Sequence, residues 1–338
     1  MADRLALGHT ELVGETAADV AEPHLVLWNT EAFFALRPDQ VARRHRLDHL
    51  DAEGRLVGSL VIGLDDADDG GIEAASGMGA PFGGFDLARS GETVANVEAL
   101  VDHAVRDLNT LGVAEVEVRT KPAHYGANEA ALAFVLANRA FMPSACDLNA
   151  FLDLRSLASV DDYVTQLKPA ARKILRRSAA QDLVASQVAV DDEESWADAY
   201  EVLRRNRVDR GRPMRLPLAY VTAIRDAFPG RVRLLAVDHG GVMVAAALIY
   251  RVAPRRDLVQ YWGDAHHELP LSPMNRLVAA VVEHALASGT ETVDIGISSE
   301  DGVPNHGLIQ FKRAVGCSIE PRYVLRAPIA SALAAARP

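Results

Sequence analysis

Asp294-Ile-Gly-Ile-Ser298 and, after six intervening residues, Asn305-His-Gly-Leu-Ile-Gln-Phe-Lys-Arg-Ala-Val-Gly316 decide how this chain is read. Val293–Ile297 alternates as a strand, placing Asp294 on one face with Val293 and Ile295 on the other. Leu308–Val315 reads as a helix and Ile319–Arg326 as a closing strand. Upstream, Met274–Ser288 is an amphipathic helix capped by Gly289. Before it come a strand at Leu258–Gly263 and a hairpin, Val232–Val237 with Val242–Val252, around His239-Gly-Gly241. Asp161–Ala180 and Ser195–Asn206 read as helices.

The first half shows the same order. Thr30–Arg44 has helical periodicity, Arg46–Leu50 and Leu56–Leu64 form a hairpin across Asp51-Ala-Glu-Gly54, and Val94–Leu111 is a helix closed by Gly112. Val113–Arg119, a helix at Asn128–Asn138 and a strand at Ala150–Leu154 follow. A chain of 338 residues exceeds what one core organises. Two tandem α/β (α+β) domains are expected, 1–155 and 156–338, each a mixed, mainly antiparallel sheet flanked by helices.

With 49% apolar and 24% charged residues the chain has a globular balance. Its formal charge of −11 argues against general nucleic-acid affinity while leaving room for a local basic patch. Cys146 and Cys317 have no pairing or metal spacing, which points to a reduced cytoplasm. Met1-Ala-Asp-Arg4 does not open a signal peptide, and no apolar run is long enough to insert into a membrane. His266-His267 lacks a third ligand, so no metal is expected. Asp65–Asp69 reads as a solvated loop. Ser76–Gly84 is glycine-rich without a P-loop or dinucleotide spacing, and reads as a structural turn or a ligand-facing loop.

Only Lys121, Lys168, Lys173 and Lys312 are lysines. Lys168-Pro-Ala-Ala-Arg-Lys-Ile-Leu-Arg-Arg177 puts Lys173 with Arg177 on one helical face and Arg172 with Arg176 on the next, a candidate site for tRNA phosphate or a pyrophosphate. The alternative is a solvated face balanced by Asp161, Asp162 and Asp182. Arg207 and Arg210, near Gly211 and Pro213, form a second candidate anion site.

Tyr261-Trp-Gly-Asp264, Leu271-Ser-Pro-Met-Asn275, Asp294-Ile-Gly-Ile-Ser298 and the Gly-Leu-x-x-Phe-Lys-x-x-x-Gly helix, in this order, resemble the Fem-type and BioF2-like branch of the GNAT acyltransferase superfamily. Arg204–Pro213, Ala80-Pro-Phe-Gly-Gly84 and Gly112 resemble further signatures of that branch. The resemblance spans nearly the whole chain and is most specific at its C-terminal part. It implies tandem GNAT folds that transfer an acyl or aminoacyl group to an amine, and it puts the family's Phe-Lys pair at Phe311 and Lys312.

A fixed ammonium at Lys312 would stabilise the oxyanion formed when an amine attacks an ester or thioester. The alternative is an exposed charge paired with Glu320. Asp294 is the candidate base, or a carboxylate bonded to nearby backbone N–H groups. Tyr261 and Trp262 offer a flat wall, and Ser298, Asn305, Phe311 and Arg207 complete the substrate-binding candidates. No tightly bound cofactor is expected. The co-substrate is aminoacyl-tRNA, slightly favoured because no CoA-type glycine turn follows the central strand, or acyl-CoA. A small-molecule, sugar-nucleotide or peptide amine is the acceptor, and tRNA is the macromolecular partner of a monomer or homodimer. A non-catalytic ligand-binding module is the reading from a different class.

Overall fold

The computed structural model describes residues 24–37, 43–67, 70–77, 79–126, 128–265 and 271–336. Met1–Arg4, Met78, the tip of the acidic loop at Asp68 and Asp69, and the His266-His267 pair lie outside the described residues. The described chain forms two compact units, 24–149 with 299–304 and 320–336, and 150–298 with 305–319.

In chain order the first stretch carries α1 (Glu31–Ala35), β1 (Arg43–Leu50), β2 (Leu56–Asp66), β3 (Ile72–Ala75), β4 (Gly84–Leu87), α2 (Val94–Thr110), β5 (Val113–Arg119), α3 (Glu129–Ala137) and β6 (Met142–Asp153). Then come α4 (Val160–Gln166), α5 (Pro169–Ala179), β7 (Leu183–Gln187), α6 (Glu193–Asp209), α7 (Leu218–Ala227), β8 (Val232–His239), β9 (Val242–Ala253), β10 (Arg256–Asp264), α8 (Pro273–Ala287) and β11 (Thr292–Ile297). A small hairpin, β12 (Ser299–Glu300) with β13 (Val303–Pro304), precedes α9 (His306–Ala314), β14 (Ser318–Pro328) and α10 (Ile329–Ala335).

The first unit orders its strands β1-β2-β3-β5-β14, with β4 also on β2; β3 and β5 run parallel and the other described pairings are antiparallel. Val324–Pro328 of β14 pairs with β5, and Ile329 and Ala332 of α10 enter the core built on α2. The second unit orders β11-β10-β9-β8-β7, parallel only at β10 and β11. These are the mixed, mainly antiparallel sheets flanked by helices that the periodicities predict.

Local chemistry explains the differences from expectation. The single helix expected over Asp161–Ala180 is two, because Pro169 lacks an N–H and drives Lys168 to an extended ψ of 151°. Thr30–Arg44 is not one helix, since α1 stops at Ala35 and β1 begins at Arg43. The glycine-rich loop is packed on its own chain. A Cβ at Gly83 would sit 3.0 Å from Asn29 Oδ1 and from Gly77 N, and one at Gly84 would sit 3.1 Å from Ser76 Cβ. Close approach of protein to protein, not of a phosphate, accounts for these glycines.

At the start of β10, buried Asp257 receives Arg233 at 2.8 Å, Arg251 at 2.7 Å and Thr290 at 2.8 Å. His284 of α8 lies in this cluster, and burial, reinforced by Arg233 and Arg251 against Asp257, pushes its pKa down to about 4 from 6.5. A base that the folded state keeps neutral costs stability as soon as the unfolded chain can take its proton. Stability is therefore expected to fall as pH drops through 6.5 towards 4, by about 3 kcal/mol in all. Urea melts across that window check this, and His284→Gln should flatten the profile.

Candidate active site

The parallel pairing of β10 and β11 covers Arg256↔Thr292 to Leu258↔Asp294 and goes no further, while β10 slips register against β9 between Val259 and Tyr261. The carboxyl ends of the two strands therefore part, with Tyr261–Asp264 on one side and Ile295–Ile297 on the other. Ligands of α/β sheets bind outside the carboxyl ends of strands that separate in this way.

The β11 side is held from α9. Lys312 is 1% exposed, and its Nζ donates to the carbonyls of Ile295 (2.9 Å), Gly296 (2.8 Å) and Ile297 (2.9 Å). Three successive carbonyls converge on one ammonium because Gly296 has φ +72°, a left-handed conformation that glycine adopts without strain. Asp294 is fully buried and its Oδ1 accepts Gly296 N–H at 2.7 Å. Asn305 caps α9, accepting Leu308 N–H at 3.0 Å, and its own N–H donates to Ser298 O at 2.9 Å.

These contacts correct one expectation and give two other candidates local partners. Lys312 is not an exposed charge: its ammonium has three N–H groups, and three carbonyls take them. Glu320 instead pairs with His124. Asp294 holds its own turn, the alternative to a base role, and Asn305 serves as a helix cap. Ser298 is 1% exposed and its Oγ has no hydrogen-bond partner among the described residues. Cys317 lies close enough to feel Lys312, but burial pushes its thiol up to about 12, which keeps it unreactive.

The β10 side joins two motifs that are far apart in sequence. Asn206 of α6 donates to both Asp264 O and Asp264 Oδ1 at 2.9 Å and fills the space above Gly263, where a Cβ would come within 2.5 Å of its Cγ. Arg207 lies over the Tyr261 ring, 4.9 Å from its centroid, and its Nε donates to Pro213 O. Arg210 reaches Asp264 at 3.8 Å, whereas Arg204 and Arg205 turn outward to Glu201. Trp262 meets the edge of Phe311, ring centroids 5.8 Å apart, and both pack on the core. Arg207 and Tyr261 thus stack as one pair and Trp262 and Phe311 as another. The pairing of Asn206 with Gly263 carries no signal in the sequence.

The basic face lies on α5. Arg172 is half-buried, Lys173 and Arg176 are exposed, and none of the three makes an ion pair among the described residues, so the alternative of a face balanced by Asp161, Asp162 and Asp182 has no ion pair to support it there. Asp162 is engaged with Ala158 N and Ser159 at the start of α4. Arg177 reaches Ser272, the residue that starts α8, and Ser178 Oγ donates to Ser272 O at 3.1 Å. The α5 face therefore abuts the N-terminus of a 15-residue helix, whose first turn has no acidic residue. Such a terminus is a favourable place for a phosphate.

An acetyltransferase (GNAT) domain family matches residues 168–313, which contain α5, α8, β10, β11 and most of α9. No curated protein sequence matches the chain. Among solved structures the chain is similar to FemX, with 11% identity, a TM-score of 0.69 and 94% of this chain aligned to 97% of that one. It is also similar to the C-terminal domain of a putative lysylphosphatidylglycerol synthetase from Agrobacterium fabrum (13% identity, TM-score 0.52, 90% of this chain, 95% of that one). A third is L-PGS from Bacillus licheniformis (11% identity, TM-score 0.50, 87% and 90%). Residues 168–313 match the GNAT acetyltransferase domain family, and the chain has the fold of FemX.

Proposed function

We propose that this chain is an acyltransferase that forms amides by moving an aminoacyl group from aminoacyl-tRNA to the amine of a small-molecule, sugar-nucleotide or peptide acceptor. The observation that carries the donor is the α5 face, where Arg172, Lys173 and Arg176 make no ion pair among the described residues of a chain of charge −11, beside Arg177 and the start of α8. A strip of separate guanidinium and ammonium groups suits a polyanion, whose binding releases counterions. Fold likeness to a protein named for making lysylphosphatidylglycerol supports the aminoacyl group. On the acceptor side, the Arg207 guanidinium over Tyr261 suits an amine that carries a carboxylate or phosphate.

Replacing Arg176 and Arg177 together by Ala is expected to weaken binding of charged tRNA at least tenfold and to lower the slope of log K against log salt by about 1–2. Fluorescence anisotropy at several salt concentrations measures both; absence of tRNA binding at low salt sinks this donor. Acyl-CoA is the second reading, favoured by the matched acetyltransferase family and by the α8 N-terminus, where a pyrophosphate would sit. Mass spectrometry of amide formed from acetyl-CoA and a panel of amines distinguishes it. No product with any donor leaves a ligand-binding module.

A further inference from the structure

We infer that Ser298, not Lys312, supplies the side-chain hydrogen bond to the reacting carbonyl oxygen, and that Lys312 acts behind it as the positioning residue. The inference rests on the acyl-transfer reading above. With its three N–H groups on Ile295, Gly296 and Ile297 at 2.8–2.9 Å, Lys312 has no donor left for a substrate oxygen. What it accomplishes is to fix the three residues immediately before Ser298. The fixation continues on both sides: Asp294 Oδ1 holds Gly296 N–H at 2.7 Å, and Ser298 O accepts Asn305 N–H at 2.9 Å. From Asp294 to Ser298 the backbone is pinned at nearly every residue, in a shape that needs Gly296 at φ +72°.

At the end of this pinned segment stands a hydroxyl with no hydrogen-bond partner among the described residues. Ser298 Oγ is enclosed and, among the described residues, unpartnered, although buried polar groups are almost always paired. Its neighbour shows the ordinary outcome: Ser299 Oγ donates to Asp147 Oδ1 at 2.6 Å and accepts Leu148 N–H at 2.8 Å. A rigidly held, solvent-shielded hydroxyl without a partner among the described residues, on the residue directly after β11, is the arrangement that stabilises charge as it develops, since it needs no reorganisation during the reaction.

The step balances without a co-reactant. The acceptor amine attacks the carbonyl carbon of the donor ester or thioester, and the C–N bond forms as the carbonyl electron pair moves onto oxygen, which takes the Ser298 O–H hydrogen bond. Collapse restores the C=O and breaks the bond to the ribose oxygen or CoA sulfur. The proton lost by nitrogen leaves on that oxygen or sulfur.

The test is steady-state amide formation by the full chain and its variants. Ser298→Ala should lower kcat about 100-fold, change donor KM less than threefold, and leave the melting temperature equal or higher, because an unmatched buried group has been removed. In a Lys312→Arg background, which keeps donors for the carbonyls but not their geometry, Ser298→Ala should cost less than threefold further, since its hydroxyl is already misplaced. Losses that multiply would return the donor role to Lys312. An active wild type with an equally active Ser298→Ala variant overturns the assignment alone; a wild type silent with every donor overturns the transfer reading and this assignment with it. A Ser298→Ala variant that loses activity only in step with its folding also overturns the proposal.

Discussion

Replacing Lys312 by methionine is expected to lower the unfolding free energy by about 4 kcal/mol. Methionine fills most of the volume of the lysine stem but leaves the carbonyls of Ile295, Gly296 and Ile297 buried without their donor. Each unsatisfied buried polar group costs roughly 1–3 kcal/mol, and release from burying an ammonium offsets part of the sum. Urea denaturation measures the change. A loss under about 1 kcal/mol would mean that the three carbonyls find other partners and that Lys312 does not hold the end of β11. Hydrogen exchange at the amides of Gly296–Ser298 should rise in the same variant, which locates the effect.

Gly263→Ala is expected to damage the site through a single added methyl group. The added Cβ would lie 2.5 Å from Asn206 Cγ and 2.7 Å from its Oδ1. Asn206 is 8% exposed and committed to Asp264 through two bonds of 2.9 Å, so it cannot turn aside without losing both. Overpacking of this kind costs roughly 1–3 kcal/mol. The larger effect should be on transfer, a fall in kcat/KM of at least about 30-fold, because α6 carries Arg207 over Tyr261 and a shift of about 1 Å near reacting groups is expensive. Turnover close to that of the wild type would separate the Asn206–Gly263 contact from the site.

The long elements were legible because their apolar periodicity is strong. The stripe from Val97 to Leu108 is buried as the pattern requires, and Thr93 caps α2 by accepting Asn96 N–H. What escaped were short or featureless pieces. β3, β4 and β7 are four or five residues long, α7 starts behind Pro217 without a polar cap, and α10 reads Ile-Ala-Ser-Ala-Leu-Ala-Ala, which has too little contrast to show a face. The site was legible as a set of residues more than as roles. Lys312, Asp294 and Ser298 stand out in the sequence, but whether a lysine faces substrate or three backbone carbonyls depends on a left-handed glycine and on which strands stay paired. Neither is a property of composition or spacing. Likewise Arg207 and Tyr261 were separate candidates until the β10 end brought α6 onto them.

The position of β14 bears on biosynthesis. Val324–Pro328 completes the sheet of the unit that holds β1–β5, and the Thr120–Tyr323 hydrogen bond joins residues 203 positions apart. Domains generally fold as units while the ribosome is still extending the chain. Here the earlier unit must expose one flank of β5 and the apolar groove that α10 fills throughout synthesis of the intervening domain. An exposed strand edge and apolar groove of this kind are what chaperones bind, and a last pairing so distant in sequence is one that slows folding.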